Sequence, residues 1–228
     1  MNRKLAGLTA AMALLTSAVA QAAPASADVP CTITGFTPRQ VVVGLSPVTA
    51  TFKVTTSGCS RQGWSIEADR LFVYVYDGSP QETFNPYSNS DAGSDSMIVE
   101  AYNEDYDSRE RVFANAFSLK RATAFKSGTF NASPEPVRRG KPITVKGQLL
   151  IADWTNDRYV GYGGRSVALQ FRTPSGAYKT IKNVTSASDG WVSTTVTAST
   201  SGYWRLAYGG NTIAGSTNVA GDYVQVTS

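Results

Sequence analysis

The sequence predicts an all-β chain in which an export segment precedes two β-sandwiches in tandem. Three observations carry this. Apolar and polar residues alternate at period two in segments such as 71–76 and 166–172, the signature of half-buried strands. Clusters of Gly, Pro, Asn, Asp and Ser interrupt the second half roughly every 8–12 residues, as in sandwiches. No run of ten or more residues joins helical periodicity to helix start and stop signals.

Residues 1–27 read as a signal peptide. Arg3 and Lys4 supply the positive start, Leu5 to Ala20 the apolar stretch, and Ala25-Ser26-Ala27 the small-residue cleavage site. The apolar stretch falls short of the ~20 residues that span a bilayer. The mature chain is therefore expected to begin near Asp28, to be secreted into the extracellular space, and to insert into no membrane after cleavage.

A first sandwich is expected over 28–126. Thr51 to Thr55 and Leu71 to Tyr76 alternate, and the second run ends at the turn pair Asp77-Gly78. Met97 to Tyr102 makes another strand. Val112 to Leu119 fits a strand better than a brief helix. The only cysteines, Cys31 and Cys59, form an even pair in an exported chain and are expected to be disulfide-bonded. Closing that loop is worth ~3.5 kcal/mol in the chain-entropy account.

A second sandwich is expected over 127–228, after a connector stiffened by Ser133-Pro134-Glu135-Pro136. Strands are predicted near 143–150, 166–172, 178–184, 192–198, 203–208 and 223–226. Val167, Leu169 and Phe171 are placed on one inward face, and Trp204, Leu206 and Tyr208 on another. The alternative is that the two halves pack as one unit.

The second half resembles the immunoglobulin-like modules of secreted actinobacterial and other bacterial proteins. The residues that carry this are Phe130 to Val137 with Gly140 to Gly147, Arg165 to Phe171, Asp189-Gly190-Trp191, and Ser201 to Gly210. The resemblance implies an immunoglobulin-like sandwich and an extracellular setting. Such modules share no chemistry, so it implies no activity.

Composition excludes several functions. The chain has no histidine, which removes Ser-His-Asp and Cys-His nucleophiles and histidine-bound zinc. No glycine-rich phosphate loop opens a helix. The basic residues of the mature chain form no dense stripe, so nucleic acid is not an expected partner. Charge is uneven: 28–126 carries 12 acidic and 9 basic residues, and 127–228 carries 5 acidic and 10 basic.

Two candidate sites remain. Asn103, Asp105 and Asp107 alternate as oxygen donors like the opening of a calcium loop, with Glu110 as a further ligand. Ser108 and Ala114 stand where an EF-hand needs glycine and a closing glutamate, so the loop departs from that pattern. Calcium is the one cofactor these residues would suit. Trp154, Asn156, Asp157, Tyr159 and Tyr162 place aromatic rings beside amide and carboxylate groups in and around a turn, the chemistry of a carbohydrate platform. The competing expectation is burial, with Trp154 capping the open end of a core.

The expected function is a secreted, non-enzymatic binding or structural module of the cell envelope or extracellular space. It would act as a monomer and recognise an extracellular protein or polysaccharide. The alternatives are a protease inhibitor presenting Gly78 to Ser90, and a glycoside hydrolase drawing its carboxylate pair from the acidic stretch that includes Glu104 and Glu110.

Overall fold

Period-two alternation becomes two stacked sandwiches. The computed structural model describes residues 31–58, 63–68, 70–102 and 108–228. The first half comprises β1 (Thr32–Thr37), β2 (Gln40–Val43), β3 (Val48–Thr51), β4 (Lys53–Ser57), β5 (Gly63–Ala68), β6 (Val73–Tyr76), β7 (Gln81–Phe84), a 3-10 turn at Asn89–Asp91, β8 (Gly93–Tyr102) and β9 (Ser108–Arg121). One layer runs β2-β9-β8-β5-β6. The other is formed by the antiparallel pairs β1–β4 and β3–β7. Phe52 joins β3 to β4, and its N–H donates to Pro80 O at 2.7 Å.

The layers close on Ile66, Val73, Val75, Met97, Val99 and four phenylalanines, Phe36, Phe52, Phe84 and Phe117. Phe117 lies 5.8 Å from both Phe52 and Phe84, so one aromatic triad ties β9 to β7 and to the β3–β4 junction. Such ring pairs add stabilisation beyond the area they bury. Val112 to Leu119, expected as a strand, lies within the longer β9.

The second half comprises β10 (Thr123–Phe125), β11 (Asn131–Ser133), β12 (Val137–Arg138), β13 (Pro142–Asp153), β14 (Arg158–Gly161), β15 (Ser166–Arg172), β16 (Lys179–Thr185), β17 (Trp191–Thr197), β18 (Gly202–Tyr208), β19 (Thr217–Asn218), β20 (Asp222–Val224) and β21 (Val226–Thr227). The long β13 organises one layer, pairing with β10, β11, β14 and β17. The other runs β16-β15-β18-β19, with β20 also on β18. Trp204, Leu206 and Tyr208 all point inward with Val167 and Leu169, as their alternation predicts. Phe171 is only partly buried and rests against Trp204 at 4.7 Å.

Both halves open with the same device. The leading segment first pairs antiparallel in one layer (β1 on β4, β11 on β13). It then crosses to pair in parallel with the last strand of its half (β2 on β9, β12 on β21). Each half is thus an immunoglobulin-like β-sandwich. β9 passes through Ala122 into β10, which joins the sheet of the second core.

Candidate functional site

β13 ends in a tight turn before β14, and its sequence is Trp154-Thr155-Asn156-Asp157. Asp157 takes a left-handed φ of 47°, a conformation that Asp tolerates better than most residues. The Asp153 carboxylate closes the turn by accepting from the Asn156 side chain at 2.9 Å. It also accepts from Asn89 Nδ2 at 2.7 Å, a residue of the first sandwich.

Asn89 completes the clamp: its Oδ1 accepts from Trp154 N at 2.9 Å, and its own N–H donates to Thr155 Oγ1 at 3.1 Å. The Trp154 ring enters the first core and is 7% exposed. Its indole N–H donates to Gly44 O at 2.9 Å and Val43 O at 3.3 Å. From the opposite direction, Arg121 Nε donates to Ala152 O at 2.6 Å. Gly215 backs onto Val42 so closely that a Cβ there would meet Val42 Cγ1 at 2.8 Å.

Electrostatics follow from these contacts. Hydrogen bonds from Asn156 and then Asn89 hold the Asp153 carboxyl below the usual carboxylate range, with Arg121 assisting against partial desolvation. Burial lowers the Arg121 guanidinium from its ordinary value, and Asp153 opposes that shift. A group held as carboxylate is unsuited to be the general acid of a glycosidase.

Beside this junction lies a cleft of about 270 Å³, lined by Leu45, Ser46, Asn85, Pro86, Tyr87, Asp157 and the edge of Trp154, with Val43 and Gly44 at its base. A second cavity of about 290 Å³ shares Asn85, Pro86 and Tyr87 and extends to Arg70, Phe72 and Glu82. Tyr87 stands between them, 81% exposed, with its hydroxyl 3.4 Å from Asn85 Nδ2. Sequence reasoning included Asn85 and Tyr87 only within the stretch Gly78 to Ser90 and missed them as a saccharide contact. The available signal was an aromatic residue within the polar run Asn85-Pro86-Tyr87-Ser88-Asn89, between two strands.

The five residues expected to form an aromatic platform do not present one continuous surface. Trp154 is spent on the junction. Tyr162 is buried edge-on against Tyr208 at 5.8 Å and accepts from Asn211 Nδ2 at 3.1 Å. Tyr159 keeps partial exposure on β14, with its hydroxyl close to Gly44. Asn156 turns back onto Asp153. Only Asp157 and the Trp154 edge reach the cleft, where Tyr87 supplies the exposed ring. The physical reason is that a tryptophan in a turn gains more by filling a neighbouring core than by facing water.

Other expectations meet the structure unevenly. Asn103, Asp105 and Asp107 of the calcium loop, together with Glu104 and Cys59, lie outside the described residues. Glu110 sits on β9 directly opposite Glu100 of β8, and Cys31 packs on the first core. Asp91 caps the 3-10 turn by accepting from Ser88 N at 3.1 Å. Asp95 accepts from Leu71 N at 3.2 Å. The stretch Gly78 to Ser90 is no free inhibitory loop: it contains β7, with Phe84 buried, and leads into the Asn89 clamp.

No family model matches the chain, and no curated protein matches it. Solved structures that resemble it include Dpr11 IG1 bound to DIP-gamma IG+IG2, at 8% identity, covering 87% of this chain and 100% of that one with a TM-score of 0.31. The D00-D0 domain of intimin is 10% identical over 86% of this chain and 99% of that one, with a TM-score of 0.31. SGBP-B of the Bacteroides ovatus mixed-linkage glucan utilization locus, in complex with a mixed-linkage heptasaccharide, is 8% identical over 86% of this chain and 70% of that one, with a TM-score of 0.24.

Proposed function

We propose that the chain is an exported, non-enzymatic binding module in which the two immunoglobulin-like sandwiches are locked at one junction, and the cleft beside it takes a polysaccharide segment of the cell envelope or extracellular space. The observation that carries this is Tyr87: an exposed ring beside Asn85, Ser46 and Asp157, on a wall that Trp154 holds rigid. A ring face stacks on the apolar face of a sugar while amide, hydroxyl and carboxylate groups bond its hydroxyls. A rigid wall reduces the ordering cost of binding.

The test is co-sedimentation of the mature protein with insoluble peptidoglycan, chitin, cellulose and xylan. Wild type should pellet with at least one of them, and Tyr87→Ala should weaken retention about tenfold, the loss of one good contact. Wild type left in the supernatant with all four would remove the reading. A second reading, a passive spacer, is favoured by the burial of Trp154 in the first core, which uses that ring for packing rather than for a ligand. It predicts no retention and an unchanged molecular envelope in solution when Tyr87 is replaced.

A further inference from the structure

Away from the cleft, the outer face of the first sandwich's larger sheet carries exposed tyrosine and aliphatic side chains. Two in-register rows cross it: Tyr74–Glu67–Ile98–Val112 and Tyr76–Ser65–Glu100–Glu110. Tyr74 is 63% exposed and Val112 55%, and the Tyr74 and Tyr76 rings lie 6.3 Å apart. Glu100 and Glu110 oppose each other directly, a like-charge cross-strand pair that costs stability. The remaining in-register neighbours in both rows, Ser65, Ile98, Glu67 and Val112, include no cation. These two rows are thus apolar and acidic together.

The second sandwich presents the complement. Arg172, Tyr203 and Tyr223 lie in register across β15, β18 and β20. The Arg172 guanidinium sits 4.1 Å from the Tyr203 ring centre, and Tyr203 and Tyr223 are 5.1 Å apart. Beside them, Arg205 stacks 3.8 Å from the Tyr178 ring and bonds Gln170 at 2.8 Å. Arg172 also donates to Pro174 O at 2.7 Å and Arg205 to Asn218 Oδ1 at 3.3 Å, and among the described residues no carboxylate pairs with either guanidinium.

We infer that the acidic tyrosine face of one molecule docks on the arginine–tyrosine face of a second copy of this chain. Charge complementarity picks the occupant: 28–126 carries a net −3 and 127–228 a net +5, so each copy holds both halves of the match. The contacts described between the halves involve Asn89, Val42 to Gly44 and Arg121 on one side and Ala152 to Thr155 and Ile213 to Gly215 on the other, and none of the residues of the two faces is among them. Tyrosine and aliphatic area supplies affinity, and the opposed charges set register and salt dependence. Because the two patches differ, the contact is head-to-tail and leaves one free patch of each kind at the ends, so it propagates. This goes beyond the saccharide reading and departs from the monomer expected from sequence. Its surfaces lie outside the cleft, so Tyr87→Ala leaves it intact and the two readings fail separately.

The experiment is sedimentation velocity on the mature protein over a concentration series. Average mass should rise with concentration at low salt and return to monomer near 1 M salt, where screening acts within about 3 Å. The mild triple variant E67Q/E100Q/E110Q should weaken association about tenfold or more. The reversals E100K/E110K and R172E/R205E should each be monomeric alone, because each then carries two faces of like sign. Mixed together they should associate, because each face then meets its opposite. Wild type that stays monomeric at low salt, association indifferent to salt, or R172E/R205E that still self-associates would each overturn the proposal. So would monomeric wild type retained on an acidic polysaccharide column through Arg172 and Arg205, which would make that face a polyanion site.

Discussion

Replacing Trp154 with alanine removes the side chain that the second sandwich inserts into the first core. The ring is almost wholly buried and its N–H is shared by two carbonyls of the first sandwich, Val43 and Gly44. Truncation leaves a cavity where the ring was, and buried Trp→Ala changes cost about 3–5 kcal/mol. Freed carbonyls add little if water enters the gap, and about 1 kcal/mol if it does not. For a chain of this size each kcal/mol moves the midpoint by about 2–4 °C, so thermal unfolding should begin about 6–20 °C lower. The loss is local to the junction, so calorimetry should also resolve two transitions where the wild type shows one, as cooperativity between the sandwiches fails. Trp154→Phe should recover most of the packing and lose the indole hydrogen bonds, falling between the two. A single transition within about 2 °C of wild type in Trp154→Ala would refute the anchoring role.

The remaining predictions concern charge and backbone. Asp153 has its folded pKa depressed, so its contribution is complete above its unfolded value near 4 and is lost as pH falls through the lower folded value. Denaturant titrations of wild type should show this acid loss, and Asp153→Asn should flatten it; equal acid slopes in the two proteins would contradict the assignment. Gly190 has φ of 84°, and a Cβ there would lie 2.1 Å from Leu149 O. Gly190→Ala should therefore destabilise by more than about 2 kcal/mol in urea, and a near-neutral result would count against the described turn between β16 and β17 and its close approach to β13. Phe72 is 90% exposed with a left-handed φ of 51°. Phe72→Gly should raise stability by about 1 kcal/mol through relief of that backbone, whereas a loss would show that the ring makes contacts of its own.

Strand identity and the inward face of each strand were legible in the sequence where alternation was clear. Val73 and Val75 face in while Tyr74 and Tyr76 face out, and Trp204, Leu206 and Tyr208 line the second core, because a pleated strand sends successive side chains to opposite faces. Short segments such as 40–43 and 137–138 offered too few residues to show a period. Their place is set by parallel pairing with strands about 80 and 90 residues downstream, β9 and β21.

The absence of histidine and the opposite charge of the two halves needed no structure. The destiny of Trp154 did. Within the turn Trp154-Thr155-Asn156-Asp157 nothing separates a ring offered to a ligand from one that fills a core, because the choice depends on Val43, Gly44 and Asn89, residues 65 to 111 positions away. The same holds for Tyr87, which gained its site only when that tryptophan closed the wall beside it. Local pattern determines which way a side chain leaves its own strand, and only the assembled fold decides what it meets there.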